Sequence, residues 1–134
     1  MDREILFKGK TFSNEWVIGD GYFSDETKRI IAKNCRNFGE SDITSYFEVI
    51  AESVGQFTGL TDKKGVKIFE GDIIKVDIFS KPYLISFGKS EKLGACFCVQ
   101  SHNSITFLTK NWSGTSEVIG NIHDNPEMLE GFSF

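Results

Sequence analysis

At 134 residues, with 40% hydrophobic and 13% aromatic content, the chain is long enough to bury a core without disulfide staples and too apolar to be disordered. Its formal net charge of −4 withholds the general attraction of basic proteins for nucleic acid, which comes from Lys and Arg neutralising phosphates. No run of about 18 apolar residues exists, and residues 1–12 lack a stretch of signal-peptide length, so the expectation is a cytoplasmic protein without a membrane span.

Short apolar runs punctuated by 13 glycines and 2 prolines set the rhythm of a mostly β chain. Ile5–Lys8 and Trp16–Ile18 read as the first strands, and Asp20-Gly21 then signals a hairpin into Tyr22-Phe23. Asp25–Ala32 reads either as a short helix or, through Ile30-Ile31, as a strand, and the polar residues 33–45 read as a loop. Tyr46–Ile50 is the next strand. Asp62-Lys63-Lys64-Gly65 is a turn leading into Val66–Phe69, and Gly71 makes a tight bend that Asp72 caps through its side chain.

The strongest alternation lies beyond that bend. In Ile73–Phe79 one face carries Ile74, Val76 and Ile78; in Tyr83–Phe87 it carries Tyr83, Ile85 and Phe87. Ser80-Lys81-Pro82 connects these two strands, with Pro82 at the start of the second. In Ala95–Gln100, Cys96 and Cys98 share a face opposite Ala95, Phe97 and Val99. Ile105–Thr109 and Glu117–Ile122 complete the strands, and Asn125-Pro126-Glu127 opens a helical turn that Gly131 stops. Nothing in composition marks a second domain, so 1–134 is expected to be a single domain.

Chemical motifs are few. Gly88-Lys89-Ser90 has the ending of a phosphate-binding loop, but the Gly required five positions earlier is Tyr83, so it reads as a loop between strands. Cys96, Cys98, His102 and Cys35 offer metal-ligand types without knuckle spacing, and reduced, packed thiols are the simpler reading, with no metal and no cofactor expected. The only histidines, His102 and His123, sit in no HExxH pattern and beside no nucleophile, which argues against an enzyme. Asn111-Trp112-Ser113 matches a glycosylation sequon, taken as chance. Lys63, Lys64 and Lys67 make the densest basic spot, flanked by Asp62 and Glu70.

Val54–Val76 also carries a resemblance. Gly55-Gln56-Phe57-Thr58-Gly59-Leu60, Asp62-Lys63, Gly65 and Ile68-Phe69-Glu70-Gly71-Asp72-Ile73 are similar to the signature of the YopX family, small proteins encoded by phages and prophages. Arg3–Lys10, Trp16-Val17-Ile18-Gly19 and Val118–Leu129 extend the likeness in order along the chain; residues 24–45 and 79–116 do not match. The resemblance implies a phage or prophage origin, a mainly β fold and an intracellular location, and it carries over no catalytic residue. Because the matched positions are mostly Gly, Asp and apolar residues, they read as a folding signature.

The expectation is therefore one small, mostly β domain of strongly bent antiparallel sheet, an SH3-like small barrel by analogy, with a short C-terminal helical turn. The functional expectation is a non-catalytic module that binds a host or phage protein or itself, with Gln56, Lys63, Lys64 and Lys67 as binding residues. Phe132 and Phe134 are the expected oligomer contact, the two Phe of an exposed tail. A nucleic-acid accessory protein acting through the Lys63-Lys64-Lys67 hairpin is the alternative, and a small enzyme the third reading.

Overall fold

The computed structural model describes residues 4–33, 45–77, 81–90, 94–101 and 104–130. The chain divides into two compact units, Met1–Phe57 and Thr58–Phe134. Both are built mainly from antiparallel strands, the class the sequence implies.

The first unit contains β1 (Phe7–Lys10), β2 (Trp16–Gly19), β3 (Gly21–Ser24), β4 (Arg29–Lys33), β5 (Ser45–Val49) and the start of β6 (Gly55–Thr61). β1 pairs with β2, Lys8 opposite Ile18, and with β6, Phe7 opposite Gln56. β4 lies between β3 and β5, so Tyr22, Ile31 and Phe47 line up across one face. Val17, Ile31 and Val49 are the buried centre, with Phe7, Tyr22, Phe47 and Val54 packed around them. That alignment follows from strand periodicity, which sends alternate residues to one side. The 3-10 turn Ala51–Ser53 is tied to the end of β1, because the Ser53 hydroxyl accepts a hydrogen bond from the Lys10 N–H at 2.8 Å.

One sequence expectation changes here, and one open reading closes on its strand alternative. Asp20-Gly21 does not close a hairpin: β2 pairs with β1 and β3 with β4, so the dipeptide passes the chain between ladders. The reason is packing at Gly19, where a Cβ would overlap the Ala32 carbonyl. Asp25–Ala32 is not helical. The Asp25 carboxylate accepts the Thr27 and Lys28 N–H groups at 2.7 and 2.9 Å, as a helix cap would, but the chain then enters β4, where Ile30 and Ile31 pair across both neighbours.

The second unit holds the rest of β6, β7 (Lys67–Phe69), β8 (Asp72–Lys75), β9 (Tyr83–Ser90), β10 (Gly94–Gln100), β11 (Ile105–Phe107), a helix α1 (Lys110–Thr115) and β12 (Glu117–Asn121). Its five-stranded sheet runs β11-β10-β9-β8-β12, and the expected helical turn follows as Pro126–Leu129. One face carries Ile74, Ile85 and Val99, which form a core with Ile68. The other carries Ile73 and Leu84, which pack with Leu129. Ile73 and Ile74 are both 0% exposed, so β8 is covered on two faces rather than one. β8 is also shorter than the alternation of Ile73–Phe79 suggests: it ends at Lys75, Val76 and Asp77 lie in a bend, and 78–80 fall outside the described residues.

The signature segments close this unit. Gly71 has φ +94°, a conformation that favours glycine, and its N–H and C=O reach Ile85 O and Ile122 N at 2.7 and 2.9 Å. Asp72, 2% exposed, accepts the Phe69 N–H at 2.8 Å, the cap the sequence implies. In β12 the register slips between Val118 and Gly120. The Asn121 side chain then accepts the His123 and Asp124 N–H groups at 3.0 and 2.9 Å, and Asn125 N–H returns to Asn121 O at 2.8 Å. Gly88-Lys89-Ser90, expected as a loop, instead ends β9, because Gly94–Cys96 pair with it residue by residue.

Candidate functional site

Helix α1 was not legible as a helix. It stands between β11 and β12 in a polar segment, Thr109-Lys110-Asn111-Trp112-Ser113-Gly114-Thr115. Thr109 is its extended N-cap and accepts the Trp112 N–H at 3.5 Å. Ser116, fully buried, ends it by donating both its N–H and its hydroxyl to Ser113 O. This short turn sets Trp112 edge-on against Tyr83, with ring centroids 5.1 Å apart and planes at 68°. Both rings rest on the Ile68, Ile74, Ile85 and Val99 core, which fixes them as a rigid surface.

Above the rings lies a groove of about 460 Å³ that opens broadly to solvent. Val76, Tyr83 and Trp112 give it an aromatic and aliphatic lining; Asp77, Thr109, Asn111 and Thr115 supply polar groups. The Thr115 hydroxyl donates to Asn111 O at 2.7 Å, and Asp77, Asn111 and Thr115 are all exposed. An apolar floor with a carboxylate and an amide nearby suits a flat or methylene-rich group that ends in a polar or cationic head.

The residues expected to bind lie elsewhere. Gln56 is half-buried on β6 in the first unit, whereas Lys63, Lys64 and Lys67 belong to the second. The lysine turn is organised by Asp62, 5% exposed, whose carboxylate accepts the N–H groups of Lys64, Val66 and Val118 at 2.8, 2.9 and 2.9 Å. Burial alone would raise the Asp62 pKa; these three N–H groups and the Lys64 charge outweigh it and hold the carboxyl below its ordinary value. Lys64 forms an ion pair with Glu117 at 2.7 Å, which raises the Lys64 pKa and lowers that of Glu117. Its charge is thus partly spoken for, and Lys63, Lys64 and Lys67 are all exposed. Phe132, Phe134, Cys35 and His102 lie outside the described residues.

In the sequence Tyr83 reads only as a strand-face residue and Trp112 only as part of a sequon, with nothing to show that the two rings meet. The available signal was an isolated Trp in a polar stretch between strands, three residues after a Thr able to cap a helix. A second pairing that the sequence does not show is in the first unit, where the Lys8 and Lys10 ammonium groups lie 4.9 and 5.8 Å from the Trp16 ring. These groups face one another across β1 and β2, so the contact serves the sheet. Cys96 and Cys98 are free thiols side by side on β10. Among the described residues, no group of three or more His, Cys, Asp or Glu is arranged to hold a metal ion. No described helix is long and apolar enough to cross a membrane.

Comparison with known proteins adds a family and a solved relative. The family model described as YopX protein matches residues 7–130. Among solved structures, the chain is similar to the crystal structure of protein EF1440 from Enterococcus faecalis, with a TM-score of 0.57 and 25% identity. The likeness covers 94% of this chain and 98% of that one. No curated protein matches.

Proposed function

The chain belongs to the YopX protein family, and from that membership and the groove over Trp112 we propose a phage- or prophage-encoded intracellular module that binds another protein without catalysis. The observation that carries this reading is the Tyr83–Trp112 pair, seated on the core and bordered by Asp77, Asn111 and Thr115. A groove this open suits one or two side chains of an extended partner segment better than an enclosed reaction. Rigid aromatic surface is also the usual source of binding energy in small interfaces. The lysine hairpin fits a nucleic-acid role less well, because Glu117 neutralises Lys64.

Asn111→Arg tests the proposal, since Asn111 is exposed on the groove and its replacement obstructs the floor without entering the core. Affinity capture from infected or lysogenic cells with the wild-type chain should retain a partner that the variant loses by about tenfold or more. Equal retention by both, with unchanged circular dichroism, would remove the groove from the function.

A further inference from the structure

The two thiols on β10 do more than fill space. The Cys96 and Cys98 sulfurs lie 3.4 Å apart on one face of the strand, and the Cys98 thiol also points at Cys96 O at 3.7 Å. Across the ladder from Cys96 stands Gly88, which has no side chain, and a Cβ there would already touch the Cys98 sulfur at 3.4 Å. Cys98 is 1% exposed, whereas Cys96 is partly open to solvent.

We propose that Cys96 and Cys98 form a dithiol site that hydroperoxides oxidise to an intramolecular disulfide. The accessible Cys96 acts first. Its thiolate attacks a peroxide oxygen, an S–O bond forms as the O–O bond breaks, and the departing oxygen leaves protonated as water or alcohol. Cys98 then attacks the Cys96 sulfur. The S–S bond forms, the S–O bond breaks, and the hydroxide leaves with the Cys98 proton as water. Two thiols and one hydroperoxide thus give one disulfide, one alcohol or water, and one water. Burial, together with the hydrogen bond to Cys96, holds the Cys98 thiol above its ordinary pKa, which suits a resolving thiol rather than an attacking one.

The strand makes this bond reversible. Cα atoms two apart on a strand are separated by about 6.8 Å, the upper end of what a disulfide spans. The sulfurs must also close by about 1.4 Å to reach bonding distance. Both demands bend β10 at Phe97, and a strained disulfide is readily reduced by small thiols. Phe97 stacks edge-on against Phe87, with centroids 5.2 Å apart, and Phe87 is among the exposed aromatics. Oxidation therefore displaces an aromatic pair at the surface.

The test uses the full chain with Cys35→Ser, reduced and then exposed to equimolar hydrogen peroxide. In intact-mass and peptide analysis after alkylation, the peptide spanning 93–110 should lose two hydrogens, escape alkylation at both thiols, and fail to fragment between 96 and 98. Dithiothreitol should restore both thiols. In Cys98→Ser the reaction should stop at a Cys96 sulfenic acid that dimedone traps. Retention of both alkylatable thiols, a bond between molecules only, or irreversible oxidation of Cys96 would each overturn the proposal. These readouts come from the chain with Cys96 and Cys98 intact, so they stand even if the Cys98 variant folds poorly.

Discussion

Asp62 gathers three backbone N–H groups from two segments more than fifty residues apart in sequence, and little else in its turn is as costly to lose. Removing a buried acceptor leaves donors without partners, so Asp62→Ala should destabilise the chain by about 3 kcal/mol at neutral pH. Because the folded carboxyl titrates below its ordinary value of 3.8, its contribution is complete above that value and fades as pH falls through the folded pKa. Urea unfolding of wild type and variant should therefore show a gap that narrows in strong acid. A gap of constant size would deny that ionisation contributes. Gly19 makes a second residue-scale point. A methyl there would overlap the Ala32 carbonyl, so Gly19→Ala should cost about 2–3 kcal/mol, measured in the same way. Asp62 and Asp72 were legible in the sequence because Asp-Lys-Lys-Gly and Gly-Asp are local turn chemistry. The Val118 bond to Asp62 was not, since its donor arrives from the far end of the chain.

At the scale of elements, β8 is covered on both of its faces. Its alternation suggested one apolar face, yet Ile73 packs with Leu84 and Leu129 while Ile74 packs with Ile68, Ile85 and Val99. Ile73→Ala and Ile74→Ala should each cost about 3 kcal/mol in chemical denaturation. A loss under about 1 kcal/mol for Ile73→Ala would instead mean that the second face is wet. The period of two located the strand but ran past its end at Lys75, and it cannot report what covers each side. Asp20-Gly21 fails for the converse reason: its residues suit a tight turn, while Gly19 meeting Ala32 decides which strands pair. Helix α1 has six residues and too little periodicity to announce itself, and its cap, Thr109, read instead as the end of a strand.

Among the described residues three cores fall in the two units, one around Val17, Ile31 and Val49 in the first, and those around Ile68, Ile74, Ile85 and Val99 and around Ile73, Leu84 and Leu129 in the second. Each unit holds one of the 2 tryptophans, Trp16 and Trp112, which makes their fluorescence a test of cooperativity. With Trp112→Phe and Trp16→Phe as single-probe variants, the expected result is coincident urea transitions, the behaviour of one domain. Separate midpoints, beyond the shift each substitution causes in circular dichroism, would make the units independent domains.

The sequence alone determined the β-rich class, the turn chemistry of Gly71-Asp72, the closing Asn125-Pro126 turn and the family resemblance. All of these rest on residues within a few positions of one another, where backbone sterics and short hydrogen bonds act. Tertiary structure alone decided which strands pair, which faces of β8 are buried and how Trp112 meets Tyr83. It also brought the Cys96 and Cys98 sulfurs to 3.4 Å across from a bare glycine. Those outcomes depend on close packing between segments distant in sequence, and a one-dimensional pattern carries no record of which surface a residue will meet.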